Sequence, residues 1–237
     1  MFSETARYYD KLYAAKDYQA EVEKLTAIIC RFLGPEKNRL LDIGCGTGQH
    51  IRYLRQHFQV EGLDVSADMV RIARQGQPDI LFHQADMIDF KLGKKYDIIT
   101  SLFSSIGYVK TLPRLYQALA CMEHHLAPGG VLIIEPWFTP ASWIPGTVHG
   151  MYIDEPDLKI SRINTSGQEG QLSFFDLHYL IGTPTKTEHF VERHELGLFE
   201  TETVQAALEQ VGLRVSYDPE GLTGRGLFIG FKKPARE

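Results

Sequence analysis

Short apolar runs alternate with stretches of helical periodicity over the first part of the chain. The segment from Tyr18 to Leu33 places its apolar residues at helical spacing, and the Gly-Pro pair that follows ends the pattern. The apolar run at 39–43 leads into a glycine-rich stretch and a helical pattern at 51–57. A second strand is predicted at 59–66 and its returning helix at 67–75. The order strand, loop, helix therefore occurs twice in succession.

The same alternation continues to about residue 137. The runs at 81–86, 95–103 and 129–137 predict three further strands, and Leu112 to Leu126 is predicted to be a long amphipathic helix. Strands that alternate with helices at this spacing form right-handed βαβ crossovers and a parallel sheet that is buried on both faces. The pattern therefore predicts a doubly wound, Rossmann-like α/β fold.

Beyond Trp137 the sequence changes to an alternation of period two, in residues rich in Thr, Ser, Tyr, His and Gly. Three segments of this kind, separated by turn-like stretches at 166–171 and 183–186, are 158–166, 171–181 and 188–196. Three or four antiparallel strands are expected here. We predict that residues 138–199 form a small antiparallel β cap, inserted after strand five on the carboxyl edge of the main sheet.

After the cap the chain is predicted to rejoin the main sheet. A helix is expected at 200–211, Gly212 ends it, and LRVSYD and RGLFIGFKK supply two closing strands. Residues 1–137 and 200–237 are thus predicted to form one seven-stranded, mostly parallel sheet.

The glycines follow the first predicted strand, where open parallel sheets bind their ligands. Gly44, Gly46 and Gly48 let the backbone turn sharply and approach a ligand closely. Asp42 comes just before them, and Asp64 ends the second strand, where it is placed to accept hydrogen bonds from ribose hydroxyls. These residues are predicted to bind a nucleoside cofactor.

Further residues are assigned to the same pocket by their positions after strands two to four. Asp86 is predicted to bind the adenine amino group, and Met87 to pack on the ring. Met87 and Leu102 are equally explicable as core residues. The remaining predicted cofactor contacts are Val65 and Met69.

The spacing of the glycines decides between two cofactor classes. Dinucleotide enzymes use G-x-G-x-x-G, whose helix N-terminus takes a pyrophosphate. Here the spacing is G-x-G-x-G, and Asp42 adds a negative charge that would repel a pyrophosphate but suits the cationic end of a methionine moiety. The loop therefore predicts S-adenosylmethionine as the cofactor.

The composition of the chain limits which partners it can bind and in which cellular compartment it is expected. A formal net charge of -5 argues against nucleic acid, and the apolar runs are too short for a membrane span. Three cysteines are interpreted as free thiols in a reducing compartment, and a cytoplasmic location is expected. The nine histidines lack the clustered spacing of a metal site, and His178, His189 and His194 are given surface or cap-packing roles.

Several longer motifs go beyond the shared cofactor fold. They are LLDIGCGTGQH, GLDVSADM, LFHQADMIDFKLGKKYD, SLFSSIGYVKT, HLAPGGVLIIEPWF and TGRGLFIGF. Together they resemble the TDP-3-amino-deoxysugar N-methyltransferases of the desosamine and mycaminose type, over nearly the whole chain but least from Phe138 to Glu200. The resemblance implies methylation of a sugar amine, with the nucleotide held by the cap and its diphosphate by Arg225.

Three residues are expected near the transferred methyl group. Tyr108 lies in the family-like FSSIGY loop, Glu135 ends the fifth strand, and Tyr18 heads the first helix. Glu135 is predicted to accept from the amine, although a Glu before Pro at a strand end can equally bind backbone amides. Tyr108, Trp137 and Arg225 are the predicted substrate contacts.

Three functions stay open at this level. The first is N-methylation of a nucleotide-linked amino sugar, and the second is methylation of another small amine, hydroxyl or carboxylate. The third is a binding module that keeps the cofactor fold without catalysis. A small-molecule substrate is expected, and a homodimer is a further expectation.

Overall fold

The computed structural model describes residues 4–234 of the chain. Within these residues it contains two separate β-sheets with eleven strands in all. The strands are β1 (Arg39–Ile43), β2 (Gln59–Asp64), β3 (Leu81–Gln84), β4 (Tyr96–Ser101), β5 (Leu126–Ile134), β6 (Val148–Glu155), β7 (Leu158–Glu169), β8 (Leu172–Gly182), β9 (Thr187–Gly197), β10 (Leu213–Asp218) and β11 (Leu227–Lys232). The helices are α1 (Tyr9–Leu12), α2 (Tyr18–Ile29), α3 (Gln49–Leu54), α4 (Ala67–Gly76), α5 (Leu112–His125) and α6 (Thr201–Gln210), and 3₁₀ turns occupy Thr5–Tyr8 and Ser105–Val109.

The main sheet has seven strands in the order β10-β11-β5-β4-β1-β2-β3. Strands β1 to β5 pair in parallel, and β11 pairs antiparallel with both β5 and β10. The chain moves outward from β1 to β3 on one side and from β4 to β5 on the other, so the strand order reverses between β1 and β4. This confirms the predicted doubly wound fold and puts the switch point beside β1.

Side chains of β1 alternate between two buried faces of the sheet. Leu41 and Ile43 belong to the core cluster that contains Leu115 of α5, whereas Leu40 belongs to the cluster that contains Leu25 of α2. All five are essentially inaccessible to solvent. Burial on both faces explains why β1 and its neighbours appear in the sequence as continuous apolar runs.

Strands β6 to β9 form the second sheet, the cap, which is antiparallel throughout. The predicted turn at 166–171 is wrong in extent, because the β7–β8 ladder continues through Gly167 and Phe174. The reversal is confined to residues 170–171, where Gly170 has a φ of +59°. The buried face of the cap holds Tyr179 and Ile181, which pack with Leu12 of α1.

The predicted helix at 18–33 stops at Ile29, because the amides of Arg31 and Phe32 bond to the carbonyls three residues earlier and tighten the last turn. Within residues 4–234 there is no helix with both the length and the apolarity that crossing a bilayer requires. The first three and last three residues of the predicted main domain lie outside the described part of the chain.

Gly62 of β2 pairs with Asp42 of β1 and lies beneath the glycine loop. A methyl group on Gly62 would come within 2.6 Å of Phe82 Cδ1 and within 2.8 Å of Cys45 Sγ and Ile51 Cδ1. Because these atoms belong to packed side chains, the core has no room for an extra carbon.

Replacing Gly62 with Ala is therefore expected to lower the free energy of unfolding by about 1–3 kcal/mol through overpacking. The matched control is Gly76→Ala at the end of α4, where an added methyl group meets no atom within 4 Å. Chemical denaturation should show the control unchanged or slightly stabilised. Equal stabilities of the two variants would contradict the packing account.

Candidate active site

The loop after β1 bends over the end of β2. The amides of Gly44 and Cys45 both donate to the carbonyl of Leu63, at 2.7 and 3.1 Å. Gly44 and Gly46 have φ values of +74° and +55°, in the left-handed region that favours glycine. A Cβ on Gly44 would also lie 2.5 Å from the Cβ of Ser105, so this position has no space for a side chain.

A cavity of about 350 Å³ opens at this edge of the sheet, between the main sheet, the cap and the N-terminal segment. Most of the residues predicted for the site line it. They are Tyr18, Asp42, Gly44, Gly46, Asp64, Val65, Met69, Asp86, Met87, Leu102, Tyr108, Trp137 and Arg225. The structure thus brings thirteen of the fifteen predicted residues together around one space.

Gly48 and Glu135 are the two predicted site residues that do not line the cavity. Gly48 caps the start of α3 with a φ of +82°, and its carbonyl accepts a hydrogen bond from Gln77. It shapes the loop from outside the cavity wall.

Glu135 is fully buried behind the cavity wall. Its carboxylate accepts hydrogen bonds from the Phe103 amide at 2.7 Å and from the Thr223 hydroxyl at 2.5 Å. The prediction that Glu135 faces the substrate amine is therefore wrong. The alternative prediction, that Glu135 binds a backbone amide, agrees with the structure. Glu135 holds together two loops of the cavity wall.

The floor of the cavity carries one buried carboxylate, Asp42, and one half-buried carboxylate, Asp64. Burial raises the pKa of Asp42 to about 6, against the opposing effects of His50 and of the hydrogen bond from Thr100. Burial also raises the pKa of Asp64, although the amides of Gly46 and Ser66 each donate to it at 2.8 Å. Concentrated negative charge at a partly desolvated floor suits a ligand with a cationic group.

Asp86 and the apolar contacts form the neighbouring wall. Asp86 is half-exposed, accepts from the Ile88 amide, and pairs with Arg114 at 3.2 Å. Met69 and Leu102 are buried, whereas Val65 is 48% exposed, so the wall offers an apolar surface with an acidic group at its edge. Such a surface fits a heteroaromatic ring that carries hydrogen-bond donors.

Tyr18 lies at the first position of α2, after the cap formed by Asp17. Its ring meets His50 edge-on, with centroids 4.9 Å apart, and His50 Nε2 lies 2.9 Å from Glu21 Oε2. Burial raises the pKa of Tyr18, so the phenol stays protonated at neutral pH and offers a hydrogen-bond donor to the cavity.

The N-terminal segment contributes two more tyrosines that sequence reasoning missed. Tyr9 and Tyr13 line the cavity, and the Thr47 hydroxyl of the glycine loop donates to Asp10 at 2.5 Å. Leu12 packs into the cap core between them. The helical pattern around these tyrosines is short, and nothing in it signals a site.

Tyr108 projects from the second 3₁₀ turn toward the cap. Its hydroxyl lies 2.8 Å from Nδ1 of His194, and both residues line the cavity. The sequence predicts only a surface or cap-packing role for His194. Strand parity could have separated it from His178 and His189, because His194 pairs with Phe175 on the inner face while the other two fall on the outer face.

Arg225 forms another part of the cavity wall, together with aromatic side chains. Its guanidinium lies 5.3 Å from the ring of Trp137 and 5.2 Å from that of Phe138, and donates to Ser104 Oγ at 3.1 Å. Among residues 4–234 it takes part in no ion pair, so its positive charge is available to an anion. Trp137 is fixed in turn by a 2.9 Å hydrogen bond from its indole N–H to Ser173.

The backbone beneath this wall is strained. Phe103 and Ser104 have φ values of +50° and +62°, which non-glycine residues rarely adopt. Strain of this kind persists only where the surroundings enforce it, and it concentrates at functional sites. Glu135, which binds the Phe103 amide, is the group that enforces it here.

Comparison with known proteins shows which family the chain belongs to. Residues 40–130 match the family model described as a methyltransferase domain. The chain is 38% identical over 96% of its length to dTDP-3-amino-3,6-dideoxy-alpha-D-glucopyranose N,N-dimethyltransferase of Streptomyces fradiae, covering 90% of that protein. It is 38% identical over 94% of its length to dTDP-3-amino-3,4,6-trideoxy-alpha-D-glucopyranose N,N-dimethyltransferase of Streptomyces venezuelae, covering 95% of that protein.

Solved structures agree with this result. The crystal structure of Streptomyces venezuelae DesVI superposes with a TM-score of 0.90 at 37% identity, covering 99% of this chain and all of DesVI. SAM-bound CalS10, an amino pentose methyltransferase from Micromonospora echinaspora involved in calicheamicin biosynthesis, gives a TM-score of 0.85 at 32% identity, covering 98% of each chain. The chain therefore belongs to the class I S-adenosylmethionine-dependent methyltransferases, in the family that includes the dTDP-amino-sugar N,N-dimethyltransferases.

Proposed function

We propose that this enzyme transfers a methyl group from S-adenosylmethionine to the amine of a dTDP-linked amino-deoxysugar. The observation that carries the proposal is the cavity itself, whose acidic floor and cationic, aromatic wall suit two differently charged ligands side by side. The relatives that share the whole chain act on such amino sugars. A role in secondary-metabolite biosynthesis and a cytoplasmic location belong to the same proposal.

The acidic floor fits the cofactor. Asp42 and Asp64 would hold its cationic and ribose portions, while Met69 and Leu102 would line the apolar wall beside Asp86. The raised pKa of Asp42 shows that its charge lacks full compensation within the protein, and a bound cation would supply it. When bound, S-adenosylmethionine supplies a methyl group on a sulfonium centre, an electrophilic carbon for a nearby nucleophile.

The cavity wall that contains Arg225 and Trp137 fits the acceptor. Arg225 would bind the diphosphate through charge-assisted hydrogen bonds, and Trp137 would pack against the nucleotide sugar. Bound in this way, the sugar would lie near Tyr108, which lines the same cavity. Catalysis then depends chiefly on holding the amine in line with the transferred carbon and on excluding water.

The amine must also lose a proton before it can react. An alkylamine with a pKa of about 10.4 is neutral only about once in 2,500 molecules at pH 7, a deficit of roughly 4.6 kcal/mol. Electron-withdrawing sugar oxygens reduce this deficit, and burial in a largely apolar cavity reduces it further by disfavouring the ammonium form.

The outer face of the cap supports the proposal that the enzyme forms a homodimer. Strand pairing places five exposed apolar side chains on this face: Val148, Tyr152, Ile163, Leu180 and Val191. Exposed apolar side chains that share one face of a sheet in this way are typical of an interaction surface. Light scattering should give the mass of two chains for the wild type and of one chain for Ile163→Glu combined with Leu180→Glu, whereas a monomeric wild type would refute the dimer.

Replacement of Asp42 with Asn tests the cofactor assignment. The variant should bind S-adenosylmethionine about 1–3 kcal/mol more weakly at pH 7.5, because a charged partner is lost. Wild-type affinity should fall roughly tenfold between pH 7.5 and pH 5, since the raised pKa of about 6 lets Asp42 become protonated and neutral over that range. The Asp42→Asn variant should lose most of this dependence.

Titration calorimetry without an acceptor measures both effects. Asp157→Asn, in the exposed turn between β6 and β7, is the control for a change in net charge and should behave as the wild type. The assignment would be contradicted if Asp42→Asn bound S-adenosylmethionine as tightly as the wild type at pH 7.5. It would also be contradicted if the affinity of this variant still fell tenfold between pH 7.5 and pH 5.

Mass analysis of products from a panel of dTDP-amino sugars tests the acceptor. We expect methylated amine, competitive inhibition by TDP, and a roughly tenfold to hundredfold higher KM for the sugar nucleotide in Arg225→Gln, as for loss of a charged hydrogen bond. Affinity for S-adenosylmethionine should stay at the wild-type value. If TDP neither binds nor inhibits, the acceptor is another small molecule. Failure to bind S-adenosylmethionine at all would indicate a non-catalytic module.

A further inference from the structure

A line of polar groups runs from the cavity to the N-terminal segment through the cap. Tyr108 Oη lies 2.8 Å from His194 Nδ1, and His194 Nε2 lies 3.6 Å from Glu192 Oε2. The Glu192 carboxylate also accepts from the amides of Glu4 and Thr5, at 3.0 and 3.1 Å, and from the Thr5 hydroxyl. The line therefore begins at the space for the acceptor and ends at the segment that closes it.

His194 is held in one orientation. It is 1% exposed and stacks on Phe175 with centroids 5.6 Å apart and an interplanar angle of 12°. Each nitrogen of this buried imidazole faces one polar neighbour, Tyr108 at Nδ1 and Glu192 at Nε2. The ring can therefore receive a proton on one side while the carboxylate stabilises the resulting charge on the other.

The ionisation of the two end groups fits such a transfer. Burial raises the pKa of Tyr108 well above its ordinary value, so the phenol remains protonated at neutral pH. Burial alone would raise the pKa of Glu192, but the nearby imidazole of His194 and the hydrogen bonds from Thr5 outweigh it and lower that pKa to about 2. A neutral hydroxyl thus faces the imidazole on one side and a full negative charge faces it on the other.

We propose that Tyr108, His194 and Glu192 form a proton relay that deprotonates the acceptor's ammonium group before methylation. The proposal rests on the amino-sugar function proposed above. An N–H bond of the ammonium breaks, its proton binds Tyr108 Oη, and the Tyr108 proton moves to His194 Nδ1. The electron pair stays on the amine nitrogen, which becomes nucleophilic, and the imidazolium is stabilised opposite Glu192.

Tyr108 alone is a poor base, which is why the second member matters. With its pKa raised, phenolate formation is disfavoured, so the hydroxyl can accept a proton only if it gives one up at the same time. His194 supplies that acceptor within hydrogen-bond distance. His194 is accordingly a positioning and relay residue that acts through Tyr108.

Other titratable groups also face the Tyr108 hydroxyl. Tyr13 lies after α1, Asp64 on β2, Tyr179 on β8, and Glu192 on the same strand as His194. Burial raises the pKa of Tyr179 to about 12, so that phenol is neutral near pH 7, whereas the lowered pKa of Glu192 keeps a negative charge beside His194. Ties from Glu192 to Thr5 mean that the relay is complete only when the N-terminal segment is in place.

The test compares His194→Gln and Tyr108→Phe with the wild type on dTDP-3-amino-3,6-dideoxy-α-D-glucopyranose. Gln keeps a hydrogen-bonding group beside Tyr108 but does not titrate between pH 5 and 9. Each variant should lower kcat by roughly 100-fold or more, as general-base catalysis predicts. In the wild type, kcat should rise with pH and then level off. In each variant, kcat should instead keep rising about tenfold per pH unit, because only acceptor that is already deprotonated in solution can react. The double variant should be no slower than either single variant, because the two act as a unit.

Two controls separate chemistry from structure. His178→Gln changes an exposed histidine on the outer face of the neighbouring strand and should leave kcat and its pH profile unchanged. Affinity for S-adenosylhomocysteine and the thermal midpoint of His194→Gln should match the wild type. If both fall together with kcat, His194 is structural and the relay is refuted.

An unchanged kcat and an unchanged pH profile in His194→Gln would equally refute the relay. Should that variant fail to fold, Tyr108→Phe decides the same question, since it retains the ring and removes only the hydroxyl. Failure of the proposed function is distinct, because the wild type would then methylate no dTDP-amino sugar at all.

Discussion

Everything in this active site depends on negative charge held at the carboxyl edge of a buried parallel sheet. Asp42 and Asp64 stay there because backbone amides and a threonine hydroxyl satisfy part of their hydrogen-bonding capacity while burial keeps water away. The glycine loop makes this possible, since only residues without a Cβ can turn as tightly over Leu63 and beside Ser105. Holding two carboxylates at a partly desolvated edge makes the floor of the cavity suited to a cationic group.

The main sheet and its ligand edge could be predicted because both are local in the sequence. A buried β-strand is a continuous apolar run, and the loop that follows β1 contains its glycines in a fixed spacing. The switch point then follows from topology, which is why the sequence alone predicts Asp42, Gly44 and Asp64 at one cavity. The antiparallel cap was predictable for the same reason, from its period of two.

The rest of the site could not be predicted because it arises from contacts between distant segments. Glu135 has the position of a catalytic carboxylate, yet its partners Phe103 and Thr223 are supplied by two loops that come together only in the folded chain. Tyr9 reaches the cavity because Leu12 docks in the cap, a contact that no periodicity indicates. Sequence patterns describe elements well and describe the meeting of elements poorly.

The N-terminal segment crosses the cavity and is fastened at both ends, to the glycine loop through Asp10 and to the cap through Glu192. Close to Asp10 in the sequence, Leu12 is buried in the hydrophobic core of the cap. The N-terminal segment is therefore part of the cavity wall and part of the cap core at the same time. Any opening on this side of the cavity would have to expose buried apolar surface as well as break polar contacts, which would slow the exchange of ligands there.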